Sequence, residues 1–348
     1  MTRFIQLHLL TSYPPSNLNR DDLGQPKTAR FGGVERLRIS SQSLKRAWRT
    51  SEIFQQQLAG TIGTRTKLLG REVFAALTKA GIEEKKASAW ASEIAQVYGA
   101  VKKDNPLEIE QLVHVAPEER QTLDTLVATL AQEKRAPKQE ELDALLHEQS
   151  AVDIAMFGRM LASKPGYNEE AAIQVAHAIG VHASPIEDDF FTAVDDLNKK
   201  YKKDDAGAGH IGESGFGAAL FYQYICIDRD QLKRNLGGDE ALTARALRAL
   251  TESALKVGPT GKQNSYASRA YAHFAMLEKG SQQPRSLTLA FIRPVTGEDY
   301  AEESMAALLK VQTNMDKVYG ACADERMSLD VFAGEGSIEQ LLDFAAGE

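Results

Sequence analysis

The sequence predicts an α+β protein: a ferredoxin-type palm with a helical domain inserted after its first helix. Three observations carry that prediction. Strand-like segments occur near the N-terminus and return after residue 150, most clearly in ALFYQYICID within 218–228. Residues 59–150 are instead rich in Ala, Leu, Glu, Gln and Lys, with apolar residues at helix spacing. The resulting order is strand, helix, helical insert, strands, helix, strands, which suits a sheet with helices on one side and a domain grown from one connection. At 348 residues, 43% hydrophobic and 26% charged, the chain is neither disordered nor fibrous and is long enough for about two domains. The expected boundaries are 1–58, 59–150 and 151–348, with a thumb-like loop at about 195–217.

Phe4 to Leu10 is apolar with partial alternation and predicts a buried strand. Residues 11–35 carry Pro14, Pro15, Gly24, Pro26, Gly32 and Gly33 and predict a loop too long to be a mere connector. Arg36 to Ile39 reads as a short strand. Ser40 and Ser41 then offer an N-cap for a helix over roughly 42–58. In the insert, Leu123, Leu126, Val127 and Leu130, then Leu142, Leu145 and Leu146, follow helix spacing, with Pro106, Pro117 and Pro137 as punctuation. Strands are expected again at 152–161, 173–182, 218–228, 271–277 and 286–292. Helices are expected at 240–257, about 301–319 and near 337–345. There is no internal repeat of fixed period.

The charge is unevenly spread. The whole chain carries −7, yet residues 1–50 hold nine basic residues (Arg3, Arg20, Lys27, Arg30, Arg36, Arg38, Lys45, Arg46, Arg49) against three acidic ones. An acidic protein with one arginine-rich segment can still steer a polyanion. On a helix, Gln42, Lys45, Arg46 and Arg49 fall on one polar stripe, and Leu44, Ala47, Trp48 and Ser51 on the opposite one. The polar stripe starts at a helix N-terminus with two serine hydroxyls, a suitable place for a phosphate. An ordinary solvated face is the competing reading, and the residues alone leave the two about equal.

Other chemistry is weakly signalled. Gly207, Gly209, Gly212, Gly215 and Gly217 match neither a Walker loop nor a dinucleotide fingerprint; a mobile hairpin or thumb, in which Lys199, Lys200, Lys202 and Lys203 could meet a polyanion, competes with a disordered surface loop, which the stretch taken alone favours. The seven histidines are scattered, and no HExxH, GxSxG or CxxC occurs. Cys226 and Cys322 are too few for a disulfide framework or a zinc site. No apolar run is long enough for a membrane span and the N-terminus does not read as a signal peptide, so a cytoplasmic protein is expected. Asp21-Asp22, Asp188-Asp189 and Asp195-Asp196 could hold Mg²⁺ beside a phosphate, although such carboxylates more often pair with arginines or cap turns. Lys102, Lys103, Lys134, Arg135 and Lys138 in the insert read as solvated helix ends before they read as DNA contacts.

The run SNLNRDDLGQPKTARFGGVERLRISSQSLKRAWR, residues 16–49, resembles the backbone subunit of the type I-E CRISPR Cascade surveillance complex, the CasC family of repeat-associated RNA-binding proteins. DIAMFGRM (153–160), FFTAVDDL (190–197) and FYQYICIDRDQLKRNLGG (221–238) agree in order and spacing. The resemblance covers roughly 1–50 and 151–240. It implies a palm like an RNA-recognition-motif domain, helical fingers and a thumb. It also implies copies polymerised along a CRISPR guide RNA, with each thumb kinking the guide at regular intervals. Other Cascade subunits and target DNA paired to the guide are the implied further partners. Neither a membrane nor a cofactor is implied, nor any catalysis by this subunit.

On matching positions the resemblance assigns RNA contacts to Arg20, Lys27, Ser40, Gln42, Lys45, Arg46 and Arg49, a wedge beside a displaced base to Met160, and thumb-base contacts to Phe191 and Thr192. Core packing is the reading that spacing alone favours for Met160. Three rivals remain: a metal-dependent ribonuclease using Asp21 or Asp22, a CRISPR RNA processing endonuclease with His8 or His210 as base, and a generic single-strand binder.

Overall fold

The structure is a computed structural model and describes residues 2–146, 151–161, 164–193 and 210–347. Its first strand, β1 (Phe4–Ser16), runs beyond the expected segment and into the predicted loop. It is buried on both faces as far as Thr11, as befits a strand inside a sheet. The rest of that predicted loop contains a hairpin of β2 (Thr28–Phe31) and β3 (Val34–Ile39). Gly32 and Gly33, both at positive φ, close it; two adjacent left-handed residues twist a tight turn with the strands.

Helix α1 (Ser41–Arg49) begins where the two serines predict, with the Ser40 hydroxyl accepting from Ser43 N at 3.4 Å. Leu44, Ala47 and Trp48 form its buried stripe, and Trp48 Nε1 donates to Val257 O at 3.2 Å. The single helix expected over 42–58 is two. Thr50 Oγ1 donates back to Arg46 O at 2.8 Å, Ser51 Oγ donates to Trp48 O at 2.8 Å, and Ser51 Oγ also accepts from Phe54 N at 3.2 Å. These hydroxyls compete with the helix ladder and restart it as α2 (Glu52–Gln57).

The path continues through β4 (Thr64–Thr66), α3 (Leu69–Lys79), α4 (Glu84–Tyr98), β5 (Val113–Val115), α5 (Pro117–Glu133) and α6 (Gln139–Asp143). The expected strand over 152–161 is instead helix α7 (Val152–Phe157). A short apolar run does not distinguish buried helix from buried strand by its pattern. Strands β6 (Ile173–Val175), β7 (Ala178–Gly180), β8 (Glu187–Ala193) and β9 (His210–Asp228) follow. Helices α8 (Arg229–Asn235), α9 (Glu240–Lys256) and α10 (Gln263–Tyr266) precede β10 (Phe274–Gly280). The expected strand at 286–292 is a 3₁₀ turn over Thr288–Phe291. Helix α11 (Tyr300–Tyr319), strand β11 (Glu325–Asp330) and helix α12 (Ile338–Ala346) close the chain.

The chain divides into two compact units. The first comprises 1–54, 175–226 and 250–348; the second comprises 55–174 and 227–249. In the first unit the main sheet has the order β11-β10-β1-β9-β7-β3-β2, with antiparallel pairing at β11–β10, β10–β1, β9–β7, β7–β3 and β3–β2. The second unit packs α3, α4 and α5 around Leu77, Trp90, Ile94, Leu123 and Leu130.

A buried charge network ties β1, β10 and β11 to α11 inside the first unit. Glu278 accepts from Arg285 and Arg326 and lies 3.2 Å from His8 Nε2, and both arginines also pair with Asp316. Burial alone would raise the Glu278 carboxyl, but hydrogen bonds from His8, Arg285 and Arg326 outweigh it and hold it well below the usual range. Burial pushes the His8 imidazole below its ordinary value despite Glu278. Both groups therefore bind fewer protons folded than unfolded, and stability falls on acidification. The loss is expected to begin with His8 below about pH 6.5 and to deepen with Glu278 below about pH 4.5. Urea midpoints measured across that range check it; a midpoint indifferent to pH would contradict the network.

Candidate nucleic-acid interface

The LNRDD segment is a rigid turn. Asp21 Oδ1 accepts from Leu23 N and Gln25 N, both at 2.9 Å, and Arg20 bridges to Pro26. Buried Asn17 donates from Nδ2 to Gly24 O and to Gly215 O at 2.9 Å, joining the turn to the start of β9. Asn19 Oδ1 accepts from Ser40 N at 2.8 Å, so the same turn also holds the first residue before α1. Asp21 thus has an acceptor role in a turn, and Asp22 is exposed. Among the described residues no group of three or more His, Cys, Asp or Glu could hold a metal ion.

This construction places Arg20 and Arg46 in one open cleft of about 410 Å³. Ser43 and Ala47 of α1, with Thr50 just after it, form one wall, and Thr260 and Gly261 contribute another. Gly261 comes so near the LNRDD turn that a Cβ there would sit 2.3 Å from Leu18 O, so only glycine fits. Gln42 and Arg46 are exposed, and Lys45 and Arg49 are half-buried beside them on the predicted stripe. Lys27 is half-buried, its backbone N–H donating to Asn19 O at 2.8 Å. Ser40 is buried and serves as the α1 cap.

The expected basic field is smaller by one charge. Arg36 is fully buried, donating from Nη1 to Gly180 O at 2.9 Å and from Nη2 to Phe291 O at 3.1 Å. It fastens β3 inside the sheet. In the second unit, Arg135 pairs with Glu133 and Glu141, and Lys102 with Glu108.

Phe191 and Thr192 lie exposed on β8, which pairs with the first part of β9 from Glu187↔Phe216 to Ala193↔His210. The Phe191 ring covers Gly212 so closely that a Cβ there would approach within 2.5 Å of ring Cζ. The thumb expected as a loop over about 195–217 is therefore β-strand from His210 onward, and residues 194–209 lie outside the described residues. Their four lysines do too.

Met160 belongs to the second unit and is 77% exposed, so it is not a core residue. Its neighbours explain why. Arg159 (7%) and Leu161 (1%) are buried on either side, as extended-chain alternation dictates. Arg159 Nη1 bonds both Glu119 oxygens, at 2.8 and 2.9 Å, while its Nε and Nη2 donate to Tyr167 O. An unbranched apolar side chain is thus held out from a fixed backbone.

Sequence reasoning missed Asn17, Asn19 and the Thr260–Gly261 wall. Nothing in their own segments signals a site, since each acquires its role through contacts with a distant segment.

Residues 5–341 match the family described as CT1975-like protein. The chain belongs to the CT1975-like protein family. Among solved structures, a chain of a "CRISPR RNA-guided surveillance complex, pre-nicking" is 28% identical, with 99% of each chain covered and a TM-score of 0.85. A chain of a "CRISPR RNA-guided surveillance complex" is 24% identical, again with 99% of each covered, at a TM-score of 0.75; this one speaks for the fold alone. No curated protein matches. These findings agree with the relationship to CasC-type Cascade subunits carried by the motif run, now over nearly the whole chain. No helix among the described residues of this CT1975-like chain is long and apolar enough to cross a membrane.

Proposed function

We propose that this chain is a non-catalytic backbone subunit of a type I-E Cascade complex. It binds CRISPR guide RNA, assembles in several copies along it and presents it for pairing with target DNA. The observation that carries this reading is the convergence of Arg20 and Arg46 on one cleft beside the Lys45 and Arg49 stripe of α1. Arginine forks and a helix N-terminus recognise phosphate without reading bases, which a scaffold for arbitrary guides needs. The sheet order β10-β1-β9-β7, with α1 after β1 and α9 before β10, supports an RNA-recognition-motif-like palm. The β8–β9 ribbon fits the thumb base and Met160 fits the wedge, since an exposed methionine can fill an unstacked base step. The role of Asp21 in its turn favours this reading over a metal-dependent ribonuclease.

Co-expression with the neighbouring subunits and a CRISPR array tests it. A large particle holding several copies of the chain and a discrete RNA is the expected result. A monomer without RNA, or RNA cut in a manner dependent on Asp21 or Asp22, would overturn the reading.

A further inference from the structure

We propose that Arg38 and His177 form a phosphate clamp on the first unit, a backbone contact additional to the α1 stripe. The inference rests on the RNA-binding reading above and adds a site to it.

Strands β3 and β7 pair Arg38 with Ile179, and His177 stands two positions earlier on the same side. Arg38 Nη1 donates to His177 Nδ1 at 2.8 Å, and Arg38 Nε donates to Thr28 O at 3.3 Å. A guanidinium stays charged and accepts nothing, so the bond's polarity is fixed. Nδ1 carries the lone pair and the ring proton sits on Nε2. His177 is itself exposed, and Arg38 is half-buried with its orientation set from two sides.

The charges that act on the ring come from three elements: Arg38 on β3, Lys27 just before β2 and Lys45 on α1. All are cations. Nearby Glu35 accepts the Thr28 hydroxyl at 2.7 Å. Burial, followed by those three cations, lowers the imidazole pKa from its ordinary value. Cations gathered in this way repel one another, and a phosphodiester placed among them relieves the repulsion. The guanidinium fork and the imidazole Nε2–H are complementary donors for its two oxygens.

A bound phosphate also favours the imidazolium and raises the His177 pKa: protonation at Nδ1 ends the direct bond from Arg38, and a phosphate oxygen then accepts from both Arg38 Nη1 and His177 Nδ1. RNA binding then takes up a proton, so affinity rises as pH falls through the interval between the free and bound pKa values.

Fluorescence anisotropy of the full-length chain with a labelled single-stranded RNA, at fixed ionic strength, tests this. Circular dichroism confirms folding at each pH. Wild-type affinity is expected to rise about three- to tenfold between about pH 7.5 and 5.5. His177→Gln keeps an acceptor for Arg38 and an N–H donor but cannot titrate, so whatever its affinity at the higher pH, that affinity should not rise at the lower. Arg38→Ala should weaken binding about tenfold at both. A His177→Gln profile that still follows wild type, or an Arg38→Ala chain that binds like wild type, overturns the clamp and leaves the RNA-binding reading standing. A wild-type chain that binds no RNA at either pH overturns both.

Discussion

Alanine at both Lys45 and Arg49 is expected to strip RNA from the chain while leaving it folded. Both side chains lie on the α1 stripe beside exposed Gln42 and Arg46, on the face opposite buried Leu44, Ala47 and Trp48. Losing two charge-assisted phosphate contacts costs about 3 kcal/mol, or roughly a hundredfold in affinity. Because the proposed contacts are to the backbone, the loss should be the same for guides of any sequence. The dependence of log affinity on log salt should become shallower by about 0.7 for each contact removed. Alanine is a good helix former, so α1 should persist, and circular dichroism checks that the double variant is folded. Unchanged affinity and salt slope in the double variant would remove α1 from the interface.

The second large effect is on stability. Arg159→Ala leaves the Glu119 carboxylate buried in the second unit without its guanidinium partner. Breaking such a pair from one side typically costs about 3–5 kcal/mol. Glu119 also accepts from Ala116 N at 2.9 Å at the start of α5, so the disturbance should spread to that helix. The double variant Arg159→Met/Glu119→Gln should recover much of the loss, because neither group is then an unpaired buried charge. Urea unfolding of the three chains measures this. A single variant as stable as wild type would mean that the pair does not hold the segment presenting Met160.

Helix α1, its cap and its two stripes were legible because local chemistry dictates them. A serine cap, an apolar stripe and a cationic stripe are written within a dozen residues, and the helix follows them. What was misread depended on partners far along the chain. Val152–Leu161 has the composition of a strand, but Asp153 Oδ1 accepts from Gly63 N at 2.9 Å and its carboxylate meets His114 at 2.8 Å, with α7 formed locally. Arg36 counted as surface charge until the Gly180 and Phe291 carbonyls enclosed it. The proximity of Arg38 to His177 exists only because β3 and β7 pair. Met160 had no signal in its spacing beyond the family motif, and its exposure follows from the burial of its two neighbours.

Ultraviolet cross-linking of the assembled particle, followed by mass spectrometry of RNA-linked peptides, tests the central claim most directly. The account predicts cross-links concentrated in peptides containing Arg20 to Lys27 and Ser40 to Arg49. Cross-links confined to other surfaces of the chain, with none in those two peptides, would contradict it.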